Sequence, residues 1–161
     1  MPFVGRALRD AEMLTLLAFL QAVQVVILWL HDWLPLPPLN DVAAVRRADT
    51  TARLVWVTLI QSVPYTIGLI YTIRALQTHL PGWLLWWLWI SYGLLFLGAL
   101  RAWWFPYLVR PEPVRAARYR EMFGSTHAFL PEHNGMVPNT LHATLHVATL
   151  ATLLVLAAVT F

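Results

Sequence analysis

The chain has 161 residues, of which 59% are hydrophobic and 12% charged, with a mean hydropathy of +0.61 and a formal net charge of +3. Soluble domains carry about 25% charged residues, so the solvent of this chain is lipid; that excludes a disordered chain, a nucleic-acid-binding domain built on a basic surface and a soluble enzyme. Cysteine and lysine are both missing from the sequence, which also excludes disulfides, thiolate metal sites, iron–sulfur clusters and Schiff-base catalysis.

Four apolar spans follow one another in a single transmembrane domain covering residues 1–161. The first, Met13 to Leu34, meets no charge before Asp32. It is too long for a signal-peptide core, and no small-residue cleavage site follows it, so a retained helix is expected. The second runs from Thr51 to Ile73, the third from Trp83 to Phe105, and the fourth from Thr140 to Phe161. Each has about the 20 residues that a helix needs to cross a hydrocarbon core of about 30 Å. A backbone in lipid must satisfy its own hydrogen bonds, and no period-2 alternation suggests a barrel, so the spans are helices. The expected fold is an all-α integral membrane bundle of four transmembrane helices.

The connections differ. Pro35 to Thr50 reads as a polar, proline-bearing loop, and Arg74 to Gly82 as a tight hairpin turning at Pro81-Gly82. Pro106 to Asn139 is long for a small bundle, and loops of this length usually carry function. Within it, Pro113 to Phe123 reads as a short interfacial helix with Gly124 as its C-cap, bringing Arg115, Arg118 and Arg120 to lipid headgroups. Asn139 is the expected N-cap of the last span.

Arginine placement sets the expected orientation. Both termini and the hairpin share one side, with Arg6, Arg9 and Arg74. The other side holds Arg46, Arg47, Arg53, Arg101, Arg110, Arg115, Arg118 and Arg120. The richer side is expected to be cytoplasmic, which leaves both termini non-cytoplasmic. Tryptophans 29, 33, 83, 103 and 104 fall near span ends, as an aromatic belt does.

Each span carries a polar stripe at helical spacing. These are Gln21, Gln24 and His31 in the first; Thr58, Gln61, Tyr65, Gly68 and Thr72 in the second; Ser91, Gly98 and Arg101 in the third; and His142, His146 and Thr149 in the fourth. Polar groups are costly in hydrocarbon, so the stripes should face one another and give the bundle a polar interior. Glycines 68 and 98 are expected as close-packing points. Thr140, Thr144, Ala148 and Thr152 form a small-residue ridge for packing within the bundle or between copies.

Chemistry gathers at the arginine-rich end. His142 and His146 stand one turn apart, the spacing of a two-histidine metal chelate, with Ala143 where a metalloprotease helix would carry glutamate. His127 and His133 in the long loop could complete a zinc or iron site, as could Glu132, His31 or Asp32. His31, Asp32, Gln61, Tyr65, Trp87 and Arg101 are the expected ligand-binding residues, with Arg101 directed at a polar headgroup. His79 alone lies at the opposite end. No phosphate-binding loop, dinucleotide fingerprint or nucleophile elbow occurs.

The expected function is to bind or act on a lipophilic small molecule at this histidine-rich, cytoplasmic end of the bundle, with membrane lipid as a partner and no nucleic acid. The alternatives are an accessory subunit of a larger membrane complex, and a homo-oligomeric channel or transporter subunit.

Overall fold

The computed structural model describes the backbone from Pro2 to Phe161 and the side chains from Ala11 onward, so the side chains of Arg6 and Arg9 lie outside the described residues. Its helices are α1 (Pro2–Leu30), α2 (Val42–Ala48), α3 (Thr51–Ala75), α4 (Gly82–Ala99), α5 (Phe105–Leu108), α6 (Pro113–Phe123) and α7 (Thr140–Thr160), with a π-helical turn at Leu100–Trp104 joining α4 to α5. No strand occurs among the described residues; one isolated bridge pairs His133 with Met136. Four segments are long and apolar enough to cross a membrane: Ala11–Leu30, Thr51–Ala75, Gly82–Leu108 and Thr140–Thr160.

These four pack in a ring in which α1 touches α3 and α7, and α4 touches α3 and α7. The connections α1–α3 and α4–α7 meet at one end, where α2 packs on α6. That contact fixes the up-and-down order expected from the sequence, because both arginine-rich loops must share an end. Several bonds fasten this cap. Asp49 accepts from Arg118 at 2.7 Å, Ser125 donates to Asp41 at 2.8 Å, and the His127 amide donates to the Pro38 carbonyl at 2.8 Å.

The core follows the stripes on three helices. Gln21, Gln24, Thr58, Ser62, Thr72, Thr149 and Thr152 are buried, while Phe19, Trp56, Ile60 and Leu154 point outward. Across the centre, Gln24 Nε2 donates to Thr152 Oγ1 at 2.7 Å and Thr149 Oγ1 donates to Gln24 Oε1 at 2.9 Å, tying α1 to α7. Such bonds average about 0.6 kcal/mol in membranes, so close packing supplies most of the helix association. Leu17, Leu28, Leu84, Leu88 and Leu156 are almost wholly enclosed and fill the bundle axis beside Tyr65 and Tyr92.

Local signals formed where expected. Asn139 Oδ1 caps α7 by accepting from the His142 amide, and α6 runs from Pro113 to Phe123 and ends at Gly124. Gly68 is a close-packing point: a Cβ there would meet Leu88 Cδ2 at 2.9 Å.

Other features differ. Helix α1 stops at Leu30, with His31 and Asp32 in the turn beyond it. The loop after α1 contains α2, held by Asp41 as N-cap and by burial of Val42, Ala44 and Val45. The buried face of α4 is Leu84, Leu88, Tyr92 and Ala99, not Ser91 and Gly98. Gly98 packs against nothing within 4 Å of where its Cβ would stand. The ridge on α7 is split: Thr152 is buried against Gln24, while Thr144 is exposed.

Candidate functional site: a cleft below the cap

Between α3 and α4 the bundle opens. The two helices touch along the hairpin-proximal half. There Gly68 meets Leu88, Tyr65 donates to the Ser91 carbonyl at 3.1 Å, and Trp87 Nε1 donates to the Pro64 carbonyl at 3.1 Å. Toward the cap they part, leaving a cavity of about 850 Å³. That volume falls in the range of ligand sites, about 300–1,000 Å³. Its walls include Ile60, Ile90 and Leu94, which are 69%, 59% and 65% exposed on the outer side of the bundle. The cleft therefore opens sideways.

Two irregularities shape it. Pro64 lacks an N–H, so the Ile60 carbonyl loses its helical donor, and both residues line the cavity. Above them the π-helical turn turns Trp103 inward; it is buried and lies 4.4 Å from the Tyr119 ring and 4.7 Å from the His142 ring, centroid to centroid. Bulges of this kind recur at functional sites. Trp103 is thus a wall of the site and not a belt residue. Trp29 and Trp33 donate to Thr66 and Thr58, which fastens α1 to α3.

The inner end is polar. His31, Asp32, Asp49, Arg53, Arg118, His142 and His146 all line it. His31 Nδ1 hydrogen-bonds the Ile27 carbonyl at 2.9 Å, so Nδ1 carries a proton, and Nε2 faces Asp32 Oδ2 at 3.3 Å. Burial pushes the Asp32 carboxyl above its ordinary range, and Asp49 adds to this while His31 opposes it. Asp49 in turn bridges Arg53 at 3.0 Å and Arg118 at 2.7 Å.

His142 is held at both its amide and its ring. Asn139 Oδ1 accepts from the His142 amide at 3.1 Å and meets its ring Nδ1 at 2.7 Å. An oxygen only accepts, so Nδ1 carries the proton and the neutral ring keeps its lone pair on Nε2. The ring is held between Trp103 and Phe123, and its centroid lies 5.6 Å from that of the His31 ring, the two planes nearly perpendicular. His146 lies one turn deeper, 6.3 Å from His142 between ring centroids; its Nδ1 is enclosed and has no partner.

Of the residues expected to bind ligand, His31, Asp32, Gln61, Tyr65 and Trp87 line this cavity, and Arg101 does not: it pairs with Glu112 at 2.6 Å outside the bundle. Of the four histidines expected as metal ligands, only His142 and His146 reach it, beside the alternative third ligands His31 and Asp32. His127 is exposed and bonded through Nδ1 to Thr140 Oγ1 at 2.7 Å; His133 Nδ1 bonds the Tyr107 carbonyl. Both fasten the long loop. No group of three or more His, Asp or Glu among the described residues is placed to hold one metal ion, so the expectation of zinc or iron gains no support from the arrangement. Sequence reasoning missed Asn139 as an orienting residue, Trp103 as a wall, and Asp49, Arg53 and Arg118 as the charged rim. The N-cap signal pointed to Asn139, and arginine placement put Arg53 and Arg118 at the right end without showing that they line the cavity.

Against family models, curated proteins and solved structures, the chain finds no match.

Proposed function

We propose that this chain is an integral membrane protein that takes a lipophilic molecule with a small polar head from the bilayer into the cleft between α3 and α4 and presents that head to His142 and His146. One observation carries the reading: a single cavity joins lipid-facing apolar walls at Ile60, Ile90 and Leu94 to a buried end lined by His31, Asp32, His142 and His146. A molecule dissolved in the bilayer can enter such a cleft without passing through water. Its tail keeps apolar neighbours, and its head gains hydrogen-bonding partners.

The polar end suits proton handling. His142 Nε2 is a lone-pair acceptor near neutral pH and can receive a hydroxyl hydrogen bond or a proton. Asn139 fixes that tautomer. Beside the His142 ring, His31 Nε2 faces Asp32 Oδ2 at 3.3 Å. Arg53 and Arg118 are occupied by Asp49, which leaves the histidines as the contacts for an uncharged head. By the arginine distribution, the cap and the polar end lie on the cytoplasmic side, with both termini on the other.

The test is to purify the full chain in mild detergent, extract it with solvent, and identify retained molecules by mass spectrometry beside His142→Ala and Leu94→Trp variants. The expected result is one lipophilic species near one per chain in the wild type, depleted in both variants. A wild-type extract that matches the bulk membrane lipid profile, unchanged in the variants, overturns the reading.

A further inference from the structure

A second cavity, of about 550 Å³, lies outside the bundle where the third span ends. It is lined by Arg101, Arg110 and Arg115 with Glu112 among them, and walled by Phe105, Pro111, Pro113 and Val114. Glu112 holds two of the three guanidinium groups in place, Arg101 Nη1 at 2.6 Å and Arg115 Nε at 2.8 Å. The Arg115 hydrogen bond, and then that of Arg101, keeps the Glu112 carboxyl below its ordinary range, so it stays ionised. One carboxylate against three guanidinium groups leaves two positive charges in excess. Arg110 forms no ion pair with any described residue.

The surroundings are those of a membrane interface. The pocket sits at the end of a candidate span, Gly82–Leu108, where Leu108 and Val109 are also exposed. Val114, in the wall itself, is 88% exposed. Arg101 lies against the Phe105 ring, 5.8 Å from its centroid. The arrangement combines fixed guanidinium donors, surplus positive charge and an apolar rim level with the bilayer edge. Guanidinium forks match phosphate oxygens in geometry and charge.

We infer that this pocket is a binding site for the phosphate headgroup of an anionic phospholipid, held by Arg101, Arg110 and Arg115 with its acyl chains along the outer face of the third span. The inference rests on the membrane-inserted half of the proposed function and is independent of the cleft. Arg101 thereby meets a headgroup, though not in the cavity that holds the histidines.

The experiment reconstitutes the full chain in mixed phosphatidylglycerol and phosphatidylcholine bilayers and measures the lipids that stay bound in native mass spectrometry. Wild type, Arg110→Ala, Arg110→Ala/Arg115→Ala and a control outside the pocket, Arg47→Ala on α2, are compared. The wild type should retain phosphatidylglycerol in preference to phosphatidylcholine. Arg110→Ala should cut that preference about fivefold, which is the loss expected from one arginine at a membrane surface. Because the Arg110 side chain forms no hydrogen bond or ion pair with any described residue, its variant should melt with the wild type, so a lost preference reports the pocket and not the fold. Equal losses in Arg110→Ala and Arg47→Ala would show diffuse charge attraction and overturn the site. Displacement of the bound lipid by millimolar inorganic phosphate would show a free-anion site and overturn the lipid assignment.

Discussion

Asn139 uses one oxygen twice, as the N-cap of α7 and as the acceptor for His142 Nδ1. Asn139→Ala should therefore cost about 1 kcal/mol of stability from the lost cap and also free the imidazole to rotate. Asn139→Asp keeps both acceptor roles and should keep both the melting temperature and the retained ligand. Thermal unfolding and ligand retention, measured on the same preparations, separate the two effects. Asp32 gives a pH prediction of definite sign. Its folded carboxyl is raised by burial, so the stability present while it is protonated declines as pH rises through the folded value. Asp32→Asn removes that decline and should raise the melting temperature at pH 8 more than at about pH 4, the ordinary carboxylate value; an equal change at both would show that the carboxyl is not responsible. At this scale helical spacing brought His31, Gln61, Tyr65, Trp87, His142 and His146 to one region of the sequence map, and they line one cavity. It failed for Arg101, which lies within the π-helical turn Leu100–Trp104, where the 3.6-residue repeat no longer applies. His127 and His133 could not be placed because loop geometry follows no period.

At the scale of elements, the closed half of the α3–α4 pair depends on Gly68. A branched side chain there meets Leu88, which is fully buried, so Gly68→Val should destabilise the fold by about 1–3 kcal/mol through overpacking. Gly98 faces the open half with no neighbour, and Gly98→Ala should leave stability unchanged or raise it slightly. Melting curves of the two variants test the splayed geometry directly, since a parallel α3–α4 pair would penalise both. The cap responds to acid. Asp41 is held below its ordinary range first by the Ala44 amide and then by the Ser125 hydroxyl, and Glu112 by its arginines. The contribution of each is present above the unfolded carboxylate value and is lost as pH falls through the folded one. Proteolysis of the cap loops should accordingly speed up below about pH 4 before the spans unfold. Helix α6 was readable because proline and glycine mark both of its ends. Helix α2 was not: it has seven residues, no apolar period, and owes its form to a capping aspartate and to burial against α6.

At the scale of the molecule, four long apolar runs are enough to give the bundle and its up-and-down order. The α2–α6 contact then brings both loops to one end. What the runs do not encode is how neighbouring helices diverge. Hydropathy reads Ile60, Ile90 and Leu94 as ordinary lipid-facing residues, and only the three-dimensional splay of α3 from α4 makes them the wall of a cleft. The central claim is that this cleft, and not the lipid-facing surface in general, holds a particular molecule. The most direct measurement places a photo-crosslinking amino acid in turn at Ile60, in the mouth, and at Ile70 and Val26, on exposed surfaces outside it. Adducts formed in the native membrane are then identified by mass spectrometry. A single discrete adduct at position 60, absent at positions 70 and 26 and lost when His142→Ala is added, is the expected result. The same mixture of bulk lipids at all three positions, indifferent to His142, would contradict it.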